Sequence, residues 1–138
     1  MFWPAADQNV EGVEKAIRDL PIPFCAATNG TRERVRLTLD AAGLLQLFEG
    51  RIFCAADVAR PKPAPDLFLH AANSMGVSAS KCAVIEDTPT GARAGIAAGM
   101  TVFGYAAGTS STREALEAEG AKVFEDMTTL ATLIGGRQ

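Results

Sequence analysis

No stretch of this 138-residue sequence approaches the ~20 consecutive apolar residues that a bilayer-spanning helix needs. The N-terminus, Met1-Phe2-Trp3-Pro4, is apolar, but it lacks the positive flank and long hydrophobic run of a secretory signal. Runs of Lys or Arg are missing too. Thirteen basic side chains against 16 acidic ones give a net charge of −3, which argues against nucleic acid or an anionic membrane surface as a partner. Histidine is nearly absent. His70, the only one, lies off the apolar face of its helix, reads as a surface residue and supports no nucleophile–histidine triad. Cysteine is scarce, and Cys25, Cys54 and Cys82 are odd in number, far apart and set among small or apolar residues. That pattern excludes a disulfide framework and closely spaced metal-ligand pairs, and it reads as three buried thiols in a reducing cytoplasm. Neither Gly-x-Gly-x-x-Gly nor a Gly-Lys-Ser/Thr phosphate loop occurs.

What is there is an ordinary globular composition, 48% apolar and 21% charged, in a chain long enough for one domain with a real core. Short apolar runs alternate with helical patterns. Val10, Val13, Ile17 and Leu20 recur at helical spacing, with Asn9 as an N-cap. Residues 22–28 (IPFCAAT) have strand length. Thr31 caps a helix carrying Val35, Leu39 and Ala42 and stopping at Gly43, and residues 51–56 (RIFCAA) form the next strand. After the loop 60–65 (RPKPAP), a helix places Phe68, Ala71, Ala72 and Met75 on one face and ends at Gly76. Residues 81–86 (KCAVIE) read as a buried strand, and Thr88-Pro89 starts a helix that Gly99 ends. A strand at 101–105 (TVFGY), a helix with Ser111 and Glu114 as capping box, a strand at 121–125 (AKVFE) and a helix with Leu130, Leu133 and Ile134 complete the chain. Strands that are apolar throughout and separated by helices imply an α/β fold with a parallel sheet covered on both faces. Residues 1–9 are expected to be irregular and 10–138 to form the domain.

Ligands of open parallel sheets bind beyond the carboxyl ends of the strands. Thr28, Asn29 and Gly30 follow the first expected strand, Lys62 follows the second, and Glu86 and Asp87 close the third. A hydroxyl, backbone amides, an ammonium and two adjacent carboxylates on one rim suit a phosphate with a divalent ion. Each piece also has a plain structural reading. Thr-Asn-Gly is a turn and cap, a Lys beside prolines is a solvated charge, RPKPAP is a short polyproline segment, and Glu86-Asp87 complements a helix dipole. Gly91, Gly95 and Gly99, every four residues, imply close packing of a helix on the sheet.

Taken in order, Ala27-Thr28-Asn29-Gly30, then Arg60-Pro61-Lys62-Pro63-Ala64-Pro65-Asp66, then Val84-Ile85-Glu86-Asp87-Thr88 resemble motifs two, three and four of the haloacid dehalogenase superfamily. The likeness is to its β-phosphoglucomutase and phosphoglycolate-phosphatase branch, and it runs from about Val10 to the C-terminus. The resemblance implies a three-layer α/β/α Rossmann-like core. It implies that Thr28, with the amides of Asn29 and Gly30, binds the phosphoryl group. Lys62 would neutralise phosphate and nucleophile charge as the catalytic lysine. Asp87 would ligate Mg²⁺, with Glu86 as a ligand or its close neighbour, and the substrate would be a small phosphorylated molecule.

The family's nucleophile lies in an Asp-x-Asp pair ending the first, central strand, and here no two aspartates are two residues apart. Asp7 follows Pro4-Ala5-Ala6, and the helical cap that selects substrate is also missing. Without the central strand, the strands ending at Thr28 and Glu86 would face a gap. Two ways of closing it are expected: the strands pair directly, or a second chain, most simply a homodimer, covers the open sheet. Three functional readings follow. The favoured one is an inactive, truncated phosphohydrolase core. The others are a binding or assembly module that keeps the phosphate pocket, and one half of a split phosphatase whose nucleophile comes from another polypeptide.

Overall fold

The computed structural model describes residues 2–3, 13–106 and 110–136. Six parallel strands form one sheet in the order β3-β2-β1-β4-β5-β6. They are β1 (Phe2–Trp3), β2 (Cys25–Thr28), β3 (Ile52–Cys54), β4 (Ala83–Glu86), β5 (Thr101–Tyr105) and β6 (Lys122–Phe124). The helices are α1 (Val13–Arg18), α2 (Arg32–Ala41), α3 (Leu45–Phe48), α4 (Asp66–Met75), α5 (Pro89–Ala97), α6 (Ser110–Ala118) and α7 (Leu130–Gly136). Successive strand residues face opposite sides, so the sheet divides its apolar side chains between two cores. Ala26, Ile52, Ala83, Ile85 and Phe103 pack with Ile17, Val35, Leu39, Phe48 and Leu130. Cys25, Ala27, Val84 and Val102 pack on the other face with Phe68, Ala71, Ala92 and Leu116. The architecture is the expected three-layer α/β/α sheet. Among the described residues no helix is long and apolar enough to cross a membrane.

Local chemistry explains most boundaries. Thr31 accepts from the Arg34 amide at 3.1 Å and caps α2, and α4 ends at Gly76 with φ of 73°, a left-handed conformation that glycine adopts without a Cβ clash. Thr88 accepts from the Gly91 amide at 3.1 Å, and Pro89 opens α5 as expected. The helix start expected at Ser111 is shifted: α6 begins at Ser110, which puts the backbone of Ser111 in its first turn. The short helix α3 was not foreseen, because four residues give no readable period. Asn9 and Val10 lie outside the described residues.

The centre of the sheet departs most from expectation. Direct pairing of β2 with β4 does not occur, because β1 lies between them. Residues 1–9 are not irregular throughout, because Phe2–Trp3 forms a two-residue parallel strand there. Phe2 pairs with Cys25 on one side and Val84 on the other, and Trp3 pairs with Ala26. The physical reason is the cost of leaving two interior strand edges bare. Two apolar residues at the chain's own N-terminus meet part of it.

Candidate functional site

The expected rim residues do come together at the carboxyl ends of β2 and β4, on either side of β1. Lys62 joins them. Its ammonium donates to the Ala27 carbonyl of β2 at 2.9 Å and to Glu86 Oε2 of β4 at 2.5 Å. The same group lies 4.8 Å from the centre of the Phe68 ring, a cation–π contact from α4. The residue is 8% exposed, so this lysine is a buried charge and not a solvated one. Thr28 and Asp87 each directly follow a residue that Lys62 touches.

Glu86 is 2% exposed. Burial pushes its carboxyl above the usual carboxylate range, against the pull of the Lys62 ammonium and a hydrogen bond from the Asp87 amide. Its place is made by Gly91 in the first turn of α5. A Cβ on Gly91 would lie 2.0 Å from Glu86 Cδ and 2.1 Å from Oε1, so only glycine lets the carboxylate lie against that turn. The expectation of helix-on-sheet packing holds for Gly95, whose Cβ would meet Val102 Cγ2 at 2.6 Å. Gly91 is instead the seat of the buried carboxylate, and Gly99, at φ of 80° with nothing within 4 Å, turns the chain out of α5. The glycine spacing was visible in sequence; which neighbour required each glycine was not.

Asn29 and Gly30 make their own contacts at the end of β2. The Gly30 amide donates to Thr28 Oγ1 at 3.0 Å and closes a turn on it. Asn29 acts through its side chain, which no sequence signal indicated. Its Oδ1 accepts from the Lys62 amide at 2.9 Å, and its Nδ2 donates to the Lys62 carbonyl at 3.1 Å. The Lys62–Pro63 peptide in the same loop is cis.

The metal assignment divides. Asp87 is half-buried and has no ion pair with a described residue, so it is free to hold a cation. The Glu86 carboxylate already pairs with the Lys62 ammonium through Oε2. No group of three His, Cys, Asp or Glu side chains fit to hold a metal occurs among the described residues. Mg²⁺ prefers six oxygens in near-octahedral order, commonly with one or two protein carboxylates. Among the described residues Asp87 supplies one such carboxylate, and waters with a phosphate oxygen would have to complete the shell. His70 proves partly covered, its ring edge-on to Phe53 at 5.6 Å. The three cysteines are free and buried, and burial raises the Cys25 thiol to about 12, far from reactivity.

A buried Lys–Glu pair bridging two strand ends, with a hydroxyl and a carboxylate beside it on a parallel α/β sheet, defines the class: a Rossmann-like core with a polar rim at the carboxyl ends of its central strands. The sequence profile of haloacid dehalogenase-like hydrolases matches residues 4–99, and the chain belongs to that family. It is 33% identical over 98 residues to 6-phosphogluconate phosphatase of Escherichia coli, covering 71% of this chain and 44% of that one. A haloacid dehalogenase-like protein of unknown function from Agrobacterium tumefaciens superposes with a TM-score of 0.88 at 34% identity, covering 93% of this chain and 60% of its own. A haloacid dehalogenase family hydrolase from Deinococcus radiodurans, solved with bound phosphate and sodium, gives 0.83 at 33% identity, covering 92% and 59%. The chain thus spans about half the length of the curated relatives it matches.

Proposed function

We propose that this chain is a phosphatase-type core that holds the phosphoryl group of a small phosphorylated molecule at the β2–β4 rim and does not by itself turn phosphate esters over. One observation carries the reading. Between Thr28 and Asp87 the central strand is Phe2–Trp3, followed in sequence by Pro4-Ala5-Ala6, and none of these five residues has a side chain able to attack phosphorus. Covalent phosphoryl transfer needs a nucleophile in line with the leaving oxygen. Thr28, the Lys62 ammonium and Asp87 are placed to bind, orient and neutralise a phosphoryl group from either side of that strand. The Deinococcus radiodurans relative with phosphate bound supports the choice of ligand. Three free, buried thiols support a reducing cytoplasm as the setting.

The test is an aryl phosphate assay with and without Mg²⁺, run beside calorimetric titration with inorganic phosphate and with Asp87→Asn in parallel. No release of phenol, together with phosphate binding, is the expected result. Turnover that vanishes in Asp87→Asn would overturn the reading by showing that another nucleophile serves the site. Failure to bind phosphate would remove the ligand assignment.

A further inference from the structure

The loop between β3 and α4 must hold an ammonium at the rim from a segment that joins no sheet. Its turn is closed by the Ala64 amide donating to the Pro61 carbonyl at 2.9 Å. A bond between the first and fourth residues of a turn leaves the N–H and C=O of the second, here Lys62, without partners inside it. A second fastening, Arg60 to Asp66 at 2.9 Å (Nη2–Oδ1) and 3.3 Å (Nε–Oδ2), ties the two ends of the loop together. It does not reach the apex.

We propose that Asn29 is a positioning residue: its carboxamide, bonded to both backbone groups of Lys62, locks the loop apex to the end of β2 and so sets where the Lys62 ammonium stands. The amide is suited to this because it presents an acceptor and a donor side by side, as a neighbouring strand would. Aspartate could accept from the Lys62 amide but not donate to the carbonyl, and alanine could do neither. With the apex fixed 33 residues away in sequence, the lysine's flexible stem need order only its own torsions to reach Ala27, Glu86 and Phe68. The phosphate-binding reading enters only in what the ammonium acts upon; the clamp itself stands on hydrogen-bond geometry.

The experiment compares isotope-labelled intact chain with Asn29→Ala and Asn29→Asp by nuclear magnetic resonance. In Asn29→Ala the Lys62 amide is expected to exchange with solvent roughly tenfold faster, the scale of one lost hydrogen bond. The Lys62 Cε and ammonium resonances should move toward those of a solvated lysine while the amides of β5 keep their protection. Asn29→Asp should retain the slow Lys62 amide and move the ammonium less. An unmoved ammonium resonance in Asn29→Ala overturns the proposal even with the Lys62 amide freed, because the clamp would then hold backbone alone. Should the alanine variant not fold, Asn29→Ser, whose short hydroxyl cannot span both backbone groups of Lys62, takes its place, and an unmoved ammonium there has the same force. Adding inorganic phosphate separates the two readings. Binding weakened in Asn29→Ala supports both. A displaced ammonium with no phosphate binding even in the intact chain supports the clamp and overturns the phosphate rim.

Discussion

Lys62 and Glu86 show what burial does to a pair of charges. Each would be costly alone at 8% and 2% exposure, and together they offset much of that cost through a 2.5 Å contact. Removing one partner is therefore far worse than removing both. Lys62→Met is expected to lose about 3–5 kcal/mol at neutral pH, and Lys62→Met with Glu86→Gln should recover most of it. The pH dependence has a definite sign. Glu86 already titrates above the usual range because of burial, and losing the opposing ammonium raises it further. A carboxyl raised in the folded state binds its proton more tightly there than when unfolded. The stability of Lys62→Met should thus be greatest in acid, below the ordinary carboxylate range, and fall as pH rises through the folded value. Urea unfolding at pH 5 and 7.5 checks this, and equal losses at both would contradict the burial account. The pairing was not legible in sequence, since Lys62 and Glu86 are 24 residues apart and a lysine among prolines looks solvated.

Among the elements, α5 packs directly on β4 and β5. Gly95 faces Val102 of β5 and Val84 of β4, and a Cβ there would come within 2.6 Å of Val102 Cγ2. Alanine is the better helix former by about 1 kcal/mol, whereas overpacking a well-filled core costs typically ~1–3 kcal/mol. Packing should win because Val102 is 1% exposed and β-branched, with little freedom to turn aside. Gly95→Ala is expected to be net destabilising by roughly 1 kcal/mol. Most of the loss should disappear in the background of Val102→Ala, measured as a double-mutant cycle in thermal unfolding. Additive effects would mean that the helix shifts freely. At this scale much was readable: α2, α4, α5 and β5 lie where caps, glycines and apolar runs placed them. The misses were α3, too short for a period, and the start of α6.

For the molecule as a whole, β1 is the decisive feature. Two residues give a six-stranded sheet its centre, pairing with Cys25, Ala26 and Val84. Deleting Met1–Trp3 would strip those partners from the interior edges of β2 and β4, and an unpaired buried backbone group costs about 1–3 kcal/mol. The shortened chain is expected to unfold at lower denaturant than the intact one. It should also sediment with more self-association, since exposed strand edges pair with whatever is available. Equal stability and equal mass would show that Phe2–Trp3 carries no weight at the centre of the sheet.

The sequence by itself determined the fold class, because fully apolar strands separated by amphipathic helices bury their surface only as a parallel sheet covered on both sides. It also determined that Thr28, Lys62 and Asp87 share a rim, because carboxyl ends of parallel strands lie on one edge whatever the loops do. Only the tertiary structure decided how those residues are held. Lys62 turned from solvated charge to buried partner of Glu86, the Asn29 carboxamide took up both backbone groups of Lys62, and Gly91 turned from packing residue to seat of a carboxylate. Each change depends on contacts between segments far apart in the chain, and local pattern carries no information about which distant groups meet. The same holds for Phe2–Trp3: its composition allowed a strand, but only the edges of β2 and β4 gave it a place.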